Sequence, residues 1–174
     1  VNMLGDVHGG AGEQCLAMIQ KVQGLLDQGG RLEESVSEEI ANHRQTKGKY
    51  IPGFGHRFHK PEDPRAPRLM KLVSDAEGDK IVSGNFMRIG LEIQRQLSLG
   101  KSTGIAMNID GATAVIFGEL GFAPPLARGL FCLSRSVGIL AHAWEQKNQG
   151  GRNKGPTPPE FLWNYSGKNP LTEG

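Results

Sequence analysis

Apolar side chains recur at intervals of three and four along most of the chain, and the elements follow from where that rhythm starts and stops. Between Gly12 and Gln28 the residues Cys15, Leu16, Ile19, Val22 and Leu26 form one stripe, and Gly29-Gly30 supplies the stop, which predicts an amphipathic helix. Ser35 to Gln45 carries only Val36 and Ile40 among charged residues, with acids early and bases late, and predicts a short, largely solvated helix. The rhythm then fails from Thr46 to Arg65, where Pro52, Gly53, Gly55, Pro61 and Pro64 predict an ordered loop. It resumes twice. Leu69, Met70, Leu72, Val73 and Ala76 predict a helix ended by Gly78, and Phe86, Ile89, Ile93 and Leu97 predict another ended by Gly100.

Asp110 is expected to cap a helix over Ala112 to Leu120, closed by Gly121. A last long helix runs from Leu126 to about Gln146 after Pro124-Pro125. It is apolar almost all round apart from Arg128 and Arg135, so it is expected to be buried in the domain or against a partner chain. From Asn148 the composition turns to Gly, Pro, Asn and Thr, a surface loop and irregular tail. With no period-two segment of useful length and no internal repeat, the fold class is all-α.

The 174 residues and 18.8 kDa suit one main core. Twenty Lys+Arg against eighteen Asp+Glu leave +2, too balanced for a dedicated binder of nucleic acid or anionic membrane, so an anionic ligand must be met locally. The most apolar run carries Arg128, Arg135 and His142, which argues against a membrane span. Cys15 and Cys132 sit in helix-like apolar settings rather than in a disulfide pattern, and two reduced core thiols point to the cytoplasm. The chain opens on Val1 directly before a dense motif, which suggests an N-terminally incomplete protein.

Three segments set an ionisable residue in a glycine-shaped backbone: GDVHGGAG around His8, IPGFGHRFHKPEDPRA around His56, and MNIDGAT around Asp110. Glycine lets a ligand approach the backbone, and a helix N-terminus offers free N–H groups to anionic oxygens. Two histidines and a carboxylate without a nucleophile motif suggest proton transfer rather than covalent catalysis. Taken singly, each also suits a turn former or a helix cap.

Together and in this order, HGG, PGFGH followed by DPR, and N-x-D resemble the citrate synthase superfamily, and the match runs along nearly the whole chain. The resemblance implies a small helical domain over residues 12–107 with a coenzyme-binding loop, and large-domain segments over 1–11 and 108–174. It implies that His8 and Asp110 enolise an acetyl thioester and that His56 hydrogen-bonds the carbonyl or hydroxyl of a four-carbon acid. Physics agrees: a thioester α-proton is too weakly acidic for a free carboxylate, and an imidazole donating to the forming enolate oxygen lowers that barrier. Arg65 and Arg135 match the family's carboxylate-binding arginines, whose planar forks grip a carboxylate bidentately. A further family arginine comes from an R-P segment about where Lys154-Gly155-Pro156 stands, and Arg152 or Lys154 would substitute. Pro52, Gly53, Phe54, Gly55, Arg57 and Lys60 correspond to the coenzyme A loop; for Arg57 and Lys60, plain solvation is the competing reading.

Synthases of the family usually follow the aspartate with an aromatic residue. Asn108-Ile109-Asp110-Gly111 has the N-x-D-G form of citryl-CoA lyases, and the altered R-P segment points the same way. The expected activity is therefore cleavage of citryl-CoA to acetyl-CoA and oxaloacetate. Citrate or 2-methylcitrate synthesis, or a non-catalytic coenzyme-binding fragment, are the alternatives. The thioester is substrate, with no tightly bound cofactor expected. A zinc site at His56 and His59 is not expected, since no third ligand is visible in the spacing. His43 reads as a surface residue, and His142 as a core or interface residue. A homodimer or higher homo-oligomer is the expected assembly.

Overall fold

The stripe around Cys15 folds as α1 (Ala11–Asp27), which buries Cys15, Leu16, Met18, Ile19 and Val22. The computed structural model describes residues 5–6, 9–59 and 61–150. The elements after α1 are α2 (Leu32–Thr46), α3 (Arg65–Gly78), α4 (Asn85–Ser98), α5 (Ile109–Glu119) and α6 (Pro124–Asn148). Among the described residues β pairing is confined to two isolated bridges, Gly5 with Gly9 and Phe54 with Met107. The chain is all-α.

The described residues up to 136 form one compact unit and those from 137 onward a second. In the first, α1 packs on α2, α4 and α5, while α5 also meets α3 and α4. Leu16, Ile19 and Val22 of α1, Val36 of α2, Ile89 and Ile93 of α4 and Val115 of α5 are fully buried. Each such side chain contributes about 1.5–3 kcal/mol on removal from water. The buried face of α5 is made of small residues, Gly111, Ala112, Ala114, Val115 and Gly118, which lets neighbouring elements approach its backbone.

The cap of α5 differs from expectation. Asn108 rather than Asp110 is the N-cap, and its side-chain oxygen accepts from the amides of Asp110 and Gly111 at 2.9 and 3.2 Å. Asp110 thus sits in the first turn of α5. His43 is a second correction: it is buried on α2, and its Nε2 donates to the Tyr50 carbonyl at 3.1 Å. The i, i+4 spacing from Glu39 put it on the inner face, a placement its polarity concealed.

α6 differs most. Ala127 is its one buried residue, whereas Leu126, Leu133, Val137, Leu140 and Trp144 are more than half exposed. Its apolar character is real, but the described residues leave most of it exposed. Cys132 is likewise only partly covered, while Cys15 is fully buried. In the second unit, His142 is exposed and pairs with Glu145 at 3.2 Å, so the core alternative for it fails. No helix among the described residues is long and apolar enough to cross a membrane.

Candidate active site

Loop 51–63 is stapled to the start of α5. The Gly55 amide donates to the Ala106 carbonyl at 2.7 Å, the Asn108 amide donates to the Gly53 carbonyl at 3.0 Å, and Asn108 Nδ2 donates to the Gly55 carbonyl at 2.7 Å. Gly53 has φ +84°, a conformation that disfavours other residues, and it is buried against Cys15 and Gly111. Burial, and secondarily the Asp110 charge, pushes the Cys15 thiol up to about 12, so Cys15 serves as packing beneath the loop rather than as a nucleophile.

His56 follows this staple. Its Nδ1 accepts the backbone amides of Phe58 and His59, each at 3.0 Å. A ring nitrogen that accepts is unprotonated, so the ring proton is assigned to Nε2, which is left as a donor. His59 lies beside it, with ring centroids 4.3 Å apart.

Asp63 is almost wholly buried and is the hub of the site. Arg65 approaches it through Nε at 2.9 Å, Nη2 at 2.7 Å and its own amide at 3.1 Å, and the Ile109 amide donates at 3.1 Å. The Arg65 hydrogen bonds hold the Asp63 carboxyl far below the usual carboxylate range, against the opposing effect of burial. Arg65 is shifted upward in turn, by Asp63 first and with a contribution from Asp110. Arg65 and Asp110 are therefore close enough to sense each other's charge.

Around these groups lie distinct cavities. One of about 340 Å³ is lined by Arg65, Asp110, Thr113, Phe131, Ser134 and Arg135 among others. It brings together three residues separated by up to seventy positions, two arginines and one carboxylate. Arg135 stacks its guanidinium on Phe131, 4.8 Å from the ring centroid, which answers how α6 carries a charge among apolar residues. A second cavity of about 550 Å³ has an apolar floor of Ile51, Phe54, Leu97 and Ile105, and four cations at its edge: Arg44, Lys49, Arg57 and Lys101. His56 belongs to its wall as well.

Of the sequence-derived coenzyme residues, Phe54, Gly55 and Arg57 line this second cavity. Pro52 and Gly53 are not in its lining; Gly53 stands behind it. His8, Lys60, Arg152 and Lys154 lie outside the described residues. Sequence reasoning missed Arg44, Lys49, Tyr50 and Lys101. The bases at the end of α2 were readable as helix-dipole partners, and nothing in the spacing joined them to Lys101, more than fifty positions away. It also missed Asp63 as a third group beside His56 and His59, whose ligand-type atoms all lie within 4.8 Å of one another. Both Asp63 oxygens are engaged by Arg65 and by backbone amides, so a metal there would have to displace an arginine.

The C-terminal domain model of citrate synthase matches residues 2–156. A citrate synthase of Acidithiobacillus ferridurans is 30% identical over 158 residues, 89% of this chain and 38% of that protein. A citryl-CoA lyase structure from Hydrogenobacter thermophilus superimposes with a TM-score of 0.70 and 31% identity, over 97% of this chain and 61% of that one. A citrate synthase structure from Thermotoga maritima gives 0.63 and 28% over 98% and 44%. The chain spans less than two fifths of the length of the Acidithiobacillus relative.

Proposed function

The chain belongs to the citrate synthase family, and on that premise we propose that it acts on the carbon–carbon bond between the acetyl group of acetyl-CoA and oxaloacetate, in the direction of citryl-CoA cleavage. The observation that carries this reading is the single cavity shared by Asp110, Arg65 and Arg135. Two guanidinium forks suit a dicarboxylate, and a carboxylate in the same cavity suits proton exchange with the acetyl carbon freed when citryl-CoA is cleaved.

The chemistry proceeds from the geometry. Asp63 holds two nitrogens of Arg65 and leaves Nη1 for one substrate carboxylate; Arg135, flattened on Phe131, takes the other. His56 is the partner of the oxygen on the four-carbon unit. In cleavage His56 Nε2–H hydrogen-bonds that oxygen while the hydroxyl proton of citryl-CoA passes to solvent, the C–C bond breaks, and the electron pair passes into the thioester enolate. Asp110, protonated, delivers its proton to the enolate carbon, and His8 is the expected donor to the enolate oxygen. In condensation the same steps run in reverse. The 550 Å³ cavity, with an apolar floor and four cations, suits an adenine ring and the phosphates of the coenzyme.

The cleavage direction is supported by Gly111 after the aspartate and by the citryl-CoA lyase neighbour. Citrate synthesis is the second reading, favoured by the citrate synthase relative. The full chain given citryl-CoA distinguishes them. Oxaloacetate plus acetyl-CoA supports the lyase, citrate plus free CoA supports the synthase, and neither product removes the reading.

A further inference from the structure

Gly111 is the point where the coenzyme-side loop and the base-bearing helix touch. A Cβ placed on residue 111 would overlap the Gly53 carbonyl oxygen and stand 2.7 Å from Met107 Cγ. From the other side, a Cβ on Gly53 would stand 2.5 Å from Cys15 Sγ and 2.8 Å from the Gly111 Cα. Cys15 of α1, Gly53 of the loop and Gly111 of α5 therefore meet at one point, with no space for a side chain at either glycine.

The consequence runs through hydrogen bonds already described. The Gly53 carbonyl that a Cβ would displace is the acceptor of the Asn108 amide, and Asn108 caps the turn from which Asp110 hangs. The same Asn108 holds the Gly55 carbonyl, and Gly55 leads directly into His56. A shift of the loop at Gly53 thus moves the cap, and with it the relation between His56 and Asp110. At Gly118, seven residues along α5, the three atoms nearest to an added Cβ all belong to the Phe86 ring.

We propose that Gly111 is a positioning residue for the proton-transfer step: by having no side chain it seats loop 52–55 on the first turn of α5 and so fixes Asp110 against the acyl thioester and His56. The inference rests on the functional reading above. It makes residue 111 a determinant of alignment rather than of affinity, because it touches neither cavity's cations. An error of about 1 Å in such an alignment costs about a hundredfold in rate.

The test uses the full chain with Gly111→Ala, and with Gly118→Ala as a matched crowding variant. Three quantities are read well below both melting temperatures: deuterium exchange into the methyl group of acetyl-CoA, CoA affinity by calorimetry, and amide protection of Gly55 and Asn108 by hydrogen exchange. Gly111→Ala is expected to lose at least tenfold in methyl exchange and in protection of those two amides, with CoA affinity changed less than threefold. Gly118→Ala is expected to lower melting temperature while leaving all three readouts near the parent. If the two variants share one kinetic phenotype, or if Gly111→Ala keeps the parent's exchange rate, the proposal is overturned. Should Gly111→Ala not fold, Asn108→Asp removes the donor to Gly55 without adding bulk, and normal methyl exchange in that variant overturns the proposal equally. A parent chain that neither exchanges nor cleaves overturns the functional reading instead, and amide protection still decides whether Gly111 seats the loop.

Discussion

Asp63 holds Arg65 in a closed fork: Nε donates to one carboxylate oxygen at 2.9 Å and Nη2 to the other at 2.7 Å, while the aspartate is buried and the arginine is half exposed. A fork of this kind fixes the guanidinium plane before any ligand arrives, which removes an ordering cost from substrate binding. Asp63→Asn should therefore raise KM for the four-carbon acid more than it lowers kcat. Steady-state kinetics with varied oxaloacetate or citryl-CoA measures this, and an unchanged KM would show that Arg65 is oriented without Asp63.

The same pair sets an acid limit. Because the folded Asp63 carboxyl is held below its ordinary value, its contribution to stability is complete above about pH 4 and is lost as pH falls further, when the carboxyl must be protonated. Melting temperature measured from pH 6 downward should fall less steeply below pH 4 in Asp63→Asn than in the parent. Parallel acid limbs would place the acid sensitivity elsewhere.

His43 acts in a higher window. Burial lowers its pKa, with Lys47 and Lys21 acting in the same direction and the Tyr50 carbonyl and Glu39 opposing. A histidine whose folded value is depressed contributes fully above its unfolded value of about 6.5, and that contribution fades as pH drops below it. Since His43 anchors Tyr50, which lines the 550 Å³ cavity, His43→Gln should flatten stability between about pH 6.5 and 5. Thermal melts across that range check it.

The positions of α1, α4 and α5 were legible because apolar residues recur along them and glycines mark their ends, whereas α2, read as Ser35 to Gln45 from Val36 and Ile40 alone, starts three residues earlier at Leu32. α3 was placed four residues late. Its start at Arg65 lies within a Pro-rich segment, and an N-terminal turn built on Pro64 has no apolar rhythm to announce it. The motifs around His56 and Asp110 stood out in the sequence, and Arg65, Asp110 and Arg135, all singled out there, line one cavity. What the sequence did not reveal were the residues that act through geometry: Asn108 as the cap, Asp63 as the hub, and the basic rim assembled from α2, its following loop and the turn after α4. Each depends on long-range approach rather than on spacing. Of the two expectations for α6, burial within the domain fails for a related reason, since periodicity reports how apolar a helix is and not what covers it.

The basic rim carries its own expectation. Arg44, Lys49, Arg57 and Lys101 border one cavity, and a coenzyme with more phosphate should feel more of them. Lys101→Ala and Arg44→Ala should each weaken CoA binding by about three- to tenfold, or about 0.7–1.4 kcal/mol. The loss should shrink with dephospho-CoA and at high salt, where exposed charges are screened. Calorimetric titrations at two ionic strengths decide it; equal losses for both ligands at both salts would reassign the two residues to shaping the cavity wall.

Asp110→Asn separates shape from proton transfer. The substituted amide is nearly isosteric, the α5 cap is supplied by Asn108, and the side chain borders the cavity rather than the core, so the fold should be retained. Without a carboxylate, the acetyl carbon has no base in condensation and no acid in cleavage. General acid–base groups contribute about 10²–10⁴ in rate, and a loss of that size is expected in both methyl exchange and citryl-CoA cleavage. Coenzyme affinity should remain within a few-fold, because the cationic rim belongs to the other cavity. A variant that exchanges methyl hydrogens at the parent rate would remove Asp110 from the chemistry. A variant that loses exchange and coenzyme affinity together would instead assign Asp110 to holding the two cavities in register, through the same turn that Asn108 and Gly53 share.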